Sequence, residues 1–218
     1  MNLADSTEPA RSNAGLLGLA IALVLWSAAA HAGGVNVRVT DATGQPLPQA
    51  VVSLEPVTGR LTVKPNPWLE VSQVKRQFRP QVSVVTVGTS VVFANFDTVR
   101  HHVYSFSSTK TFELKLYAGV PNMPVVFDKP GIAVIGCNIH DQMAAWIAVL
   151  DTPYYAQTGA DGKARINAVA AGSYRLKVWH PGLTGSTDGV VSAVAVGTND
   201  VDQAVQLTVG DNPLAMHL

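Results

Sequence analysis

Cys137-Asn138-Ile139-His140-Asp141-Gln142-Met143 is the stretch on which the reading of this chain turns. Cys137 is the only cysteine, so it has no partner for an intramolecular disulfide. A histidine pair, His101-His102, stands upstream of it. One thiolate, two imidazoles and one thioether are the donor set of a trigonal copper site with a weak axial methionine. Zinc suits the set less well, because its usual ligands are Cys, His and carboxylates. Taken singly, each residue has a plainer explanation. A His on a strand is most often a surface or hydrogen-bonded residue, Met fills cores, and a buried Cys is a small hydrophobe. The Cys-x2-His-x2-Met spacing with a histidine upstream makes the joint reading as ligands the stronger one. His101 and His102 point to opposite faces of an extended strand, so only one of them can join the set.

Outward from this loop the chain reads as β. Val35-Asn36-Val37-Arg38-Val39 alternates as a half-buried strand does. Asp41-Ala42-Thr43-Gly44 is a turn, and Ala50 to Leu54 forms the next strand. Val82–Val87 and Ser90–Phe93 flank Gly88-Thr89, which predicts two strands across a tight turn. Val125–Phe127 and Ile132–Ile135 flank Asp128-Lys129-Pro130-Gly131, and Trp146–Leu150 is a further strand. Residues 66–79 fit either a short helix or an irregular edge. Elsewhere no stretch shows sustained helical periodicity with caps, so an all-β fold is expected.

Residues 68–150 resemble the cupredoxin, or blue-copper, family. The blocks that carry the resemblance stand in family order. Gln77-Phe78-Arg79-Pro80 leads into the Val82–Asn95 segment, and Asp97-Thr98-Val99-Arg100-His101-His102-Val103 resembles the segment with the first histidine ligand. Lys129-Pro130-Gly131 resembles the approach to the cysteine strand, and Met143–Val149 the closing strand. The short ligand loop resembles that of amicyanin. The resemblance implies a Greek-key β-barrel or sandwich holding one copper per chain. It implies His101, Cys137, His140 and Met143 as ligands, with His102 the alternative to His101. The chain departs from the family at His102, where relatives often carry an Asn that braces the cysteine loop, and at Arg100, which replaces a common Pro.

The flanks resemble a second module. Asp41-x-x-Gly44-x-Pro46-Leu47-Pro48-x-Ala50, within residues 33–57, resembles the first half of a carboxypeptidase-regulatory-like (transthyretin-like) β-sandwich. Thr158-Gly159-Ala160-Asp161-Gly162 and Ala171-Gly172-Ser173-Tyr174-Arg175-Leu176, within 151–210, resemble its second half. The expected fold is therefore a cupredoxin unit plus a small Ig- or transthyretin-like sandwich, split or simply flanking, with a tail at 211–218. The pairing resembles periplasmic proteins labelled as methylamine-utilisation proteins.

Ala14–Trp26 is almost wholly apolar, Arg11 precedes it, and Ala30-His31-Ala32 has the form of a cleavage site. Residues 1–32 are read as a signal peptide, with an uncleaved anchor as the alternative. Beyond them the chain holds fourteen basic and thirteen acidic residues. That balance gives no reason to expect nucleic acid, or a membrane if the leader is removed. The expectation is a periplasmic single-electron carrier that contacts redox proteins transiently and is not an enzyme. The alternatives are a copper-handling or sensing protein and a metal-free β-sandwich interaction module. A rim of Pro121, Met123, Ala144 and Ala145 around His140 is expected to be the contact face.

Overall fold

The computed structural model describes Met1, residues 32–184 and residues 188–210. The expected signal peptide (1–32), but for Met1 and Ala32, and the expected tail (211–218) lie outside the described residues. Among those described, the secondary structure is all β: β1 (Gly33–Asp41), β2 (Val51–Pro56), β3 (Leu69–Val74), β4 (Gln77–Arg79), β5 (Val82–Thr86), β6 (Thr89–Asn95), β7 (His101–Ser107), β8 (Lys110–Tyr117), β9 (Val125–Phe127), β10 (Gly131–Cys137), β11 (Ala144–Leu150), β12 (Tyr155–Gln157), β13 (Lys163–Val169), β14 (Gly172–Trp179), β15 (Val190–Val196) and β16 (Val201–Leu207). Among the described residues no helix is long and apolar enough to cross a membrane.

Two sheets are built from residues 69–150. One has the order β5-β11-β10-β7-β8 and the other β4-β3-β6-β9. Their inner faces meet in a core of Val71, Phe93, Val103, Phe127, Ile135 and Ile147. Alternation selects these residues. In β10, Ala133, Ile135 and Cys137 are buried while Val134 faces out.

The turn at Val87-Gly88 joins strands that lie in opposite sheets, so β5 and β6 form an arch rather than the expected hairpin. The amide of Val87 donates to Leu150 O at 3.0 Å and that of Gly88 to Phe127 O at 2.7 Å, which ties the arch to both sheets. The segment 66–79 is a β-hairpin, β3 to β4, and not a helix. Lys75 and Arg76 take φ of 54° and 56° at its tip, the backbone of a type I′ turn.

The remaining strands form a second pair of sheets, β13-β1-β16 and β12-β2-β14-β15. β1 runs antiparallel to β13 and parallel to β16, and β2 is antiparallel to both β12 and β14. Their shared core includes Val37, Val52, Leu54, Ile166, Leu176 and Leu207. A third apolar cluster joins the two sheet pairs, with Val51 and Trp179 on one side and Val82, Trp146 and Ala148 on the other. The connecting segment is fastened by Asn66. Its Oδ1 accepts the Thr86 amide at 2.8 Å, its own amide donates to Thr86 Oγ1 at 3.0 Å, and its Nδ2 donates to Tyr155 Oη at 3.2 Å.

Candidate metal centre

Three elements deliver the donor atoms. β7 begins with His101, fully buried, and alternation then turns His102 outward, where its Nε2 meets Glu113 Oε1 at 2.8 Å. β10 ends with Cys137, paired in register with Val103 of β7, which sets the thiol beside His101. The loop between β10 and β11 carries His140 and Met143. It folds back on itself through the Met143 amide, which donates to His140 O at 2.9 Å. The Asn138 amide donates to His102 O at 3.0 Å, so the backbone of His102 holds the loop.

The structure thus brings together His101, Cys137 and His140 and leaves His102 on the opposite face. Cys137 Sγ lies 3.6 Å from Nδ1 of each histidine, and the two Nδ1 atoms are 3.2 Å apart. A triangle with those sides has a centre about 2 Å from each corner, and metal–imidazole bonds are about 2.0–2.1 Å and metal–thiolate bonds about 2.3 Å. The donor set therefore fits a soft or borderline ion and has no place for an oxygen-seeking one. Met143 is 2% exposed and belongs to the same apolar cluster as Cys137, at the base of the loop.

His101 is oriented from behind. Its Nε2 lies 2.8 Å from Asp97 Oδ2. An ionised carboxylate only accepts, so Nε2 carries the proton and Nδ1 presents its lone pair to the site. Asp97 in turn accepts the amides of Lys75 at 2.5 Å and Arg76 at 2.9 Å. Burial pushes the Asp97 carboxyl up, but the Arg76 amide, His101 and the Lys75 amide outweigh it and hold the group below the usual carboxylate range. Burial, with His101 and the Arg76 guanidinium nearby, holds His140 below the ordinary imidazole value, which favours the neutral ligand form.

Behind the site, Gln73 Nε2 donates to Tyr117 Oη at 2.6 Å, and Tyr117 Oη donates to Phe93 O at 2.7 Å. Burial pushes the Tyr117 phenol up to about 12. Asp97, the Lys75-Arg76 turn and the Gln73–Tyr117 pair escaped the sequence reading as working parts. The one available signal was Asp97 four residues before His101. The expected rim needs one correction: Ala145 is 1% exposed and packs inward on β11, so it cannot be a contact residue. Met123 is 77% exposed, and Pro121 and Ala144 are half-buried.

The family profile for polysaccharide lyase family 4, domain II, matches residues 129–201, less than half of the chain. No curated protein matches the sequence. Among solved structures, a purple cupredoxin from Nitrosopumilus maritimus is similar at 19% identity and a TM-score of 0.34, over 38% of this chain and 99% of that one. Amicyanin from Paracoccus versutus is similar at 15% identity and a TM-score of 0.33, over 40% of this chain and 92% of that one. The copper-containing nitrite reductase NirK from Thermus scotoductus SA-01 is similar at 25% identity and a TM-score of 0.37. That likeness covers 53% of this chain but only 28% of the reductase.

Proposed function

We propose that the protein is a mononuclear type 1 copper protein that carries single electrons between redox partners in the periplasm. The observation that carries this reading is the His101–Cys137–His140 triangle with His101 fixed from behind by Asp97. Copper held in such a set exchanges one electron between Cu(I) and Cu(II). His101, Cys137, His140 and Met143 would hold it, one ion per chain. Four protein donors leave no open position for a substrate, which favours a carrier over an enzyme. All four ligands sit on sheet-anchored backbone or on a loop tied to it, so the same positions serve both oxidation states with little rearrangement.

His140 is half-buried on a loop whose flanking residues are exposed, while His101 is sealed, so the His140 edge is the natural point of electron entry and exit. Ile139 and Ala144, from the same loop and the start of β11, supply apolar surface there. The contact would be small, on the order of 1,200 Å² or less in total, as suits partners that must separate quickly. The cupredoxin unit would span 68–150 and sit within a sandwich split into 33–57 and 151–210. The amicyanin-like loop, the carboxypeptidase-regulatory-like flanks and the resemblance to methylamine-utilisation proteins together make amine oxidation the favoured source of electrons.

Titration with Cu(II) tests the reading. One equivalent should bind and produce an intense visible thiolate-to-copper absorption, and Cys137→Ser should abolish the band. Stoichiometric binding without the band, with ready release of Cu(I) to a chelator, would favour copper handling instead. No binding would leave a metal-free interaction module.

A further inference from the structure

The near-neutral charge of the chain conceals an uneven distribution. Lys75 and Arg76 are exposed at the tip of the β3–β4 turn, and their amides are bonded to the carboxylate that orients His101. Arg100 is exposed and immediately precedes His101. Arg79 is exposed on β4 and lines, with Gln142, Met143 and Ala144, a groove beside the ligand loop. Its guanidinium donates to Gln77 Oε1 at 3.0 Å. Among the described residues none of these four cations is in an ion pair, whereas Lys110, Lys115, Lys163, Arg165 and Arg175 each face a carboxylate within 4.0 Å. Of the acidic groups nearby, Asp97 and the exposed Asp141 of the ligand loop remain as counter-charges, and Glu113 is shared by His102 and Lys115, so the four cations stand in excess.

We propose that Lys75, Arg76, Arg79 and Arg100 form a cationic collar around one side of the His140 edge, and that it docks an acidic partner protein, one presenting carboxylates around its own electron entry point. The proposal rests on the electron-carrier reading and names the kind of partner that reading requires. The physical case is local. Charges are screened over about 8–10 Å at ordinary ionic strength, so a partner senses the charges nearest the contact rather than the molecular total. Exposed, unpaired cations keep their field. Rim charges of this kind chiefly raise the on-rate and orient the encounter, and the apolar surface at Ile139 and Ala144 completes the contact. A neutral rim, as the sequence suggests, would leave that encounter unsteered.

Two probes test the collar on the full-length protein. The first does not need copper. Hexaglutamate added to the metal-free protein at low salt should shift the amide resonances of residues 75–79 and 97–102. The shifts should vanish at about 0.3 M salt, where the screening length is roughly halved, and in the Lys75→Glu/Arg76→Glu/Arg79→Glu/Arg100→Glu variant. They should persist in Arg38→Glu. The second probe is ferricyanide, which takes one electron from the reduced copper protein as Fe(III) becomes Fe(II). Its rate should fall about tenfold with the same rise in salt or with charge reversal, within the range for steered association. Tris(phenanthroline)cobalt(III), a cation, should respond in the opposite direction. The milder Lys75→Gln/Arg100→Gln variant should give an intermediate effect even if reversal in the turn perturbs folding.

Rates indifferent to salt and to reversal, with the visible band intact, would overturn the collar and leave the carrier reading standing. Absence of the band would sink the carrier reading and the proposal with it. Sedimentation with phosphatidylglycerol vesicles without any response to hexaglutamate would overturn the proposal in favour of a membrane surface.

Discussion

A ligand imidazole is placed as well as the atom that holds its far nitrogen. Here that atom belongs to Asp97, which also accepts two turn amides. Asp97→Ala should therefore do two things. Leaving three donors without an acceptor should destabilise the metal-free protein by about 1–3 kcal/mol in denaturant unfolding. Freeing the His101 ring should weaken copper by about 10–100-fold in competition with a chelator. An unchanged affinity would mean that packing alone holds the ring. The thioether makes a separate prediction, because a soft donor favours Cu(I) and a hard amide oxygen favours Cu(II). Met143→Gln should lower the reduction potential in voltammetry while copper stays bound; an unmoved potential would remove Met143 from the axial position. Cys137 and His140 come together because one short loop holds them, and loop spacing survives folding unchanged. The choice between His101 and His102 needed the face of β7, which register with β10 decides. Asp97 was legible only as a neighbour, since its role depends on a turn more than twenty residues away.

The elements show the same division between local and long-range information. Turn residues mark where the chain reverses, and those marks were read correctly at Gly88 and at Lys129-Pro130-Gly131. They do not say which sheet the returning strand joins, so the reversal at Gly88 looked like a hairpin, and both reversals are arches. The second arch launches the cysteine strand and has little tolerance. Gly131 has φ of 135°, and a Cβ there would collide with Thr109 Oγ1. Gly131→Ala should cost about 1–3 kcal/mol, from strain and overpacking together, and should appear as a lower unfolding midpoint. A midpoint within error of the parent would show that the arch can relax. The ambiguity over residues 66–79 had a physical source as well. Their regular structure comes from β3 running parallel to β6, with Leu69 opposite Val91, and a parallel partner leaves no mark in the local sequence.

At the scale of the whole molecule, chain order and spatial order part company. β1 lies between β13 and β16, and β2 lies between β12 and β14. The partners are separated along the chain by all the strands of the first two sheets. Without β1, neither β13 nor β16 keeps a ladder in its sheet, and without β2, β12 loses its partner and β14 keeps only β15. Residues 69–150 pair only among themselves in the named sheets and enclose their own core. Their debts to the rest are the Trp146–Trp179 cluster and the Asn66 fastening. These dependencies are unequal, and two polypeptides expose the difference. Residues 68–150 alone should fold and take up one copper, at reduced stability because Val82, Trp146 and Ala148 lose their apolar cover. Residues 151–218 alone should not fold, because a sheet deprived of its central strand leaves backbone donors and acceptors unpaired over a core it cannot close. Adding a peptide of residues 33–57 should restore structure to that fragment, and hydrogen exchange would then show protection in β13, β14 and β16. Cooperative protection in the 151–218 fragment by itself would mean that β1 and β2 decorate an independent domain, and the split-sandwich reading would fall.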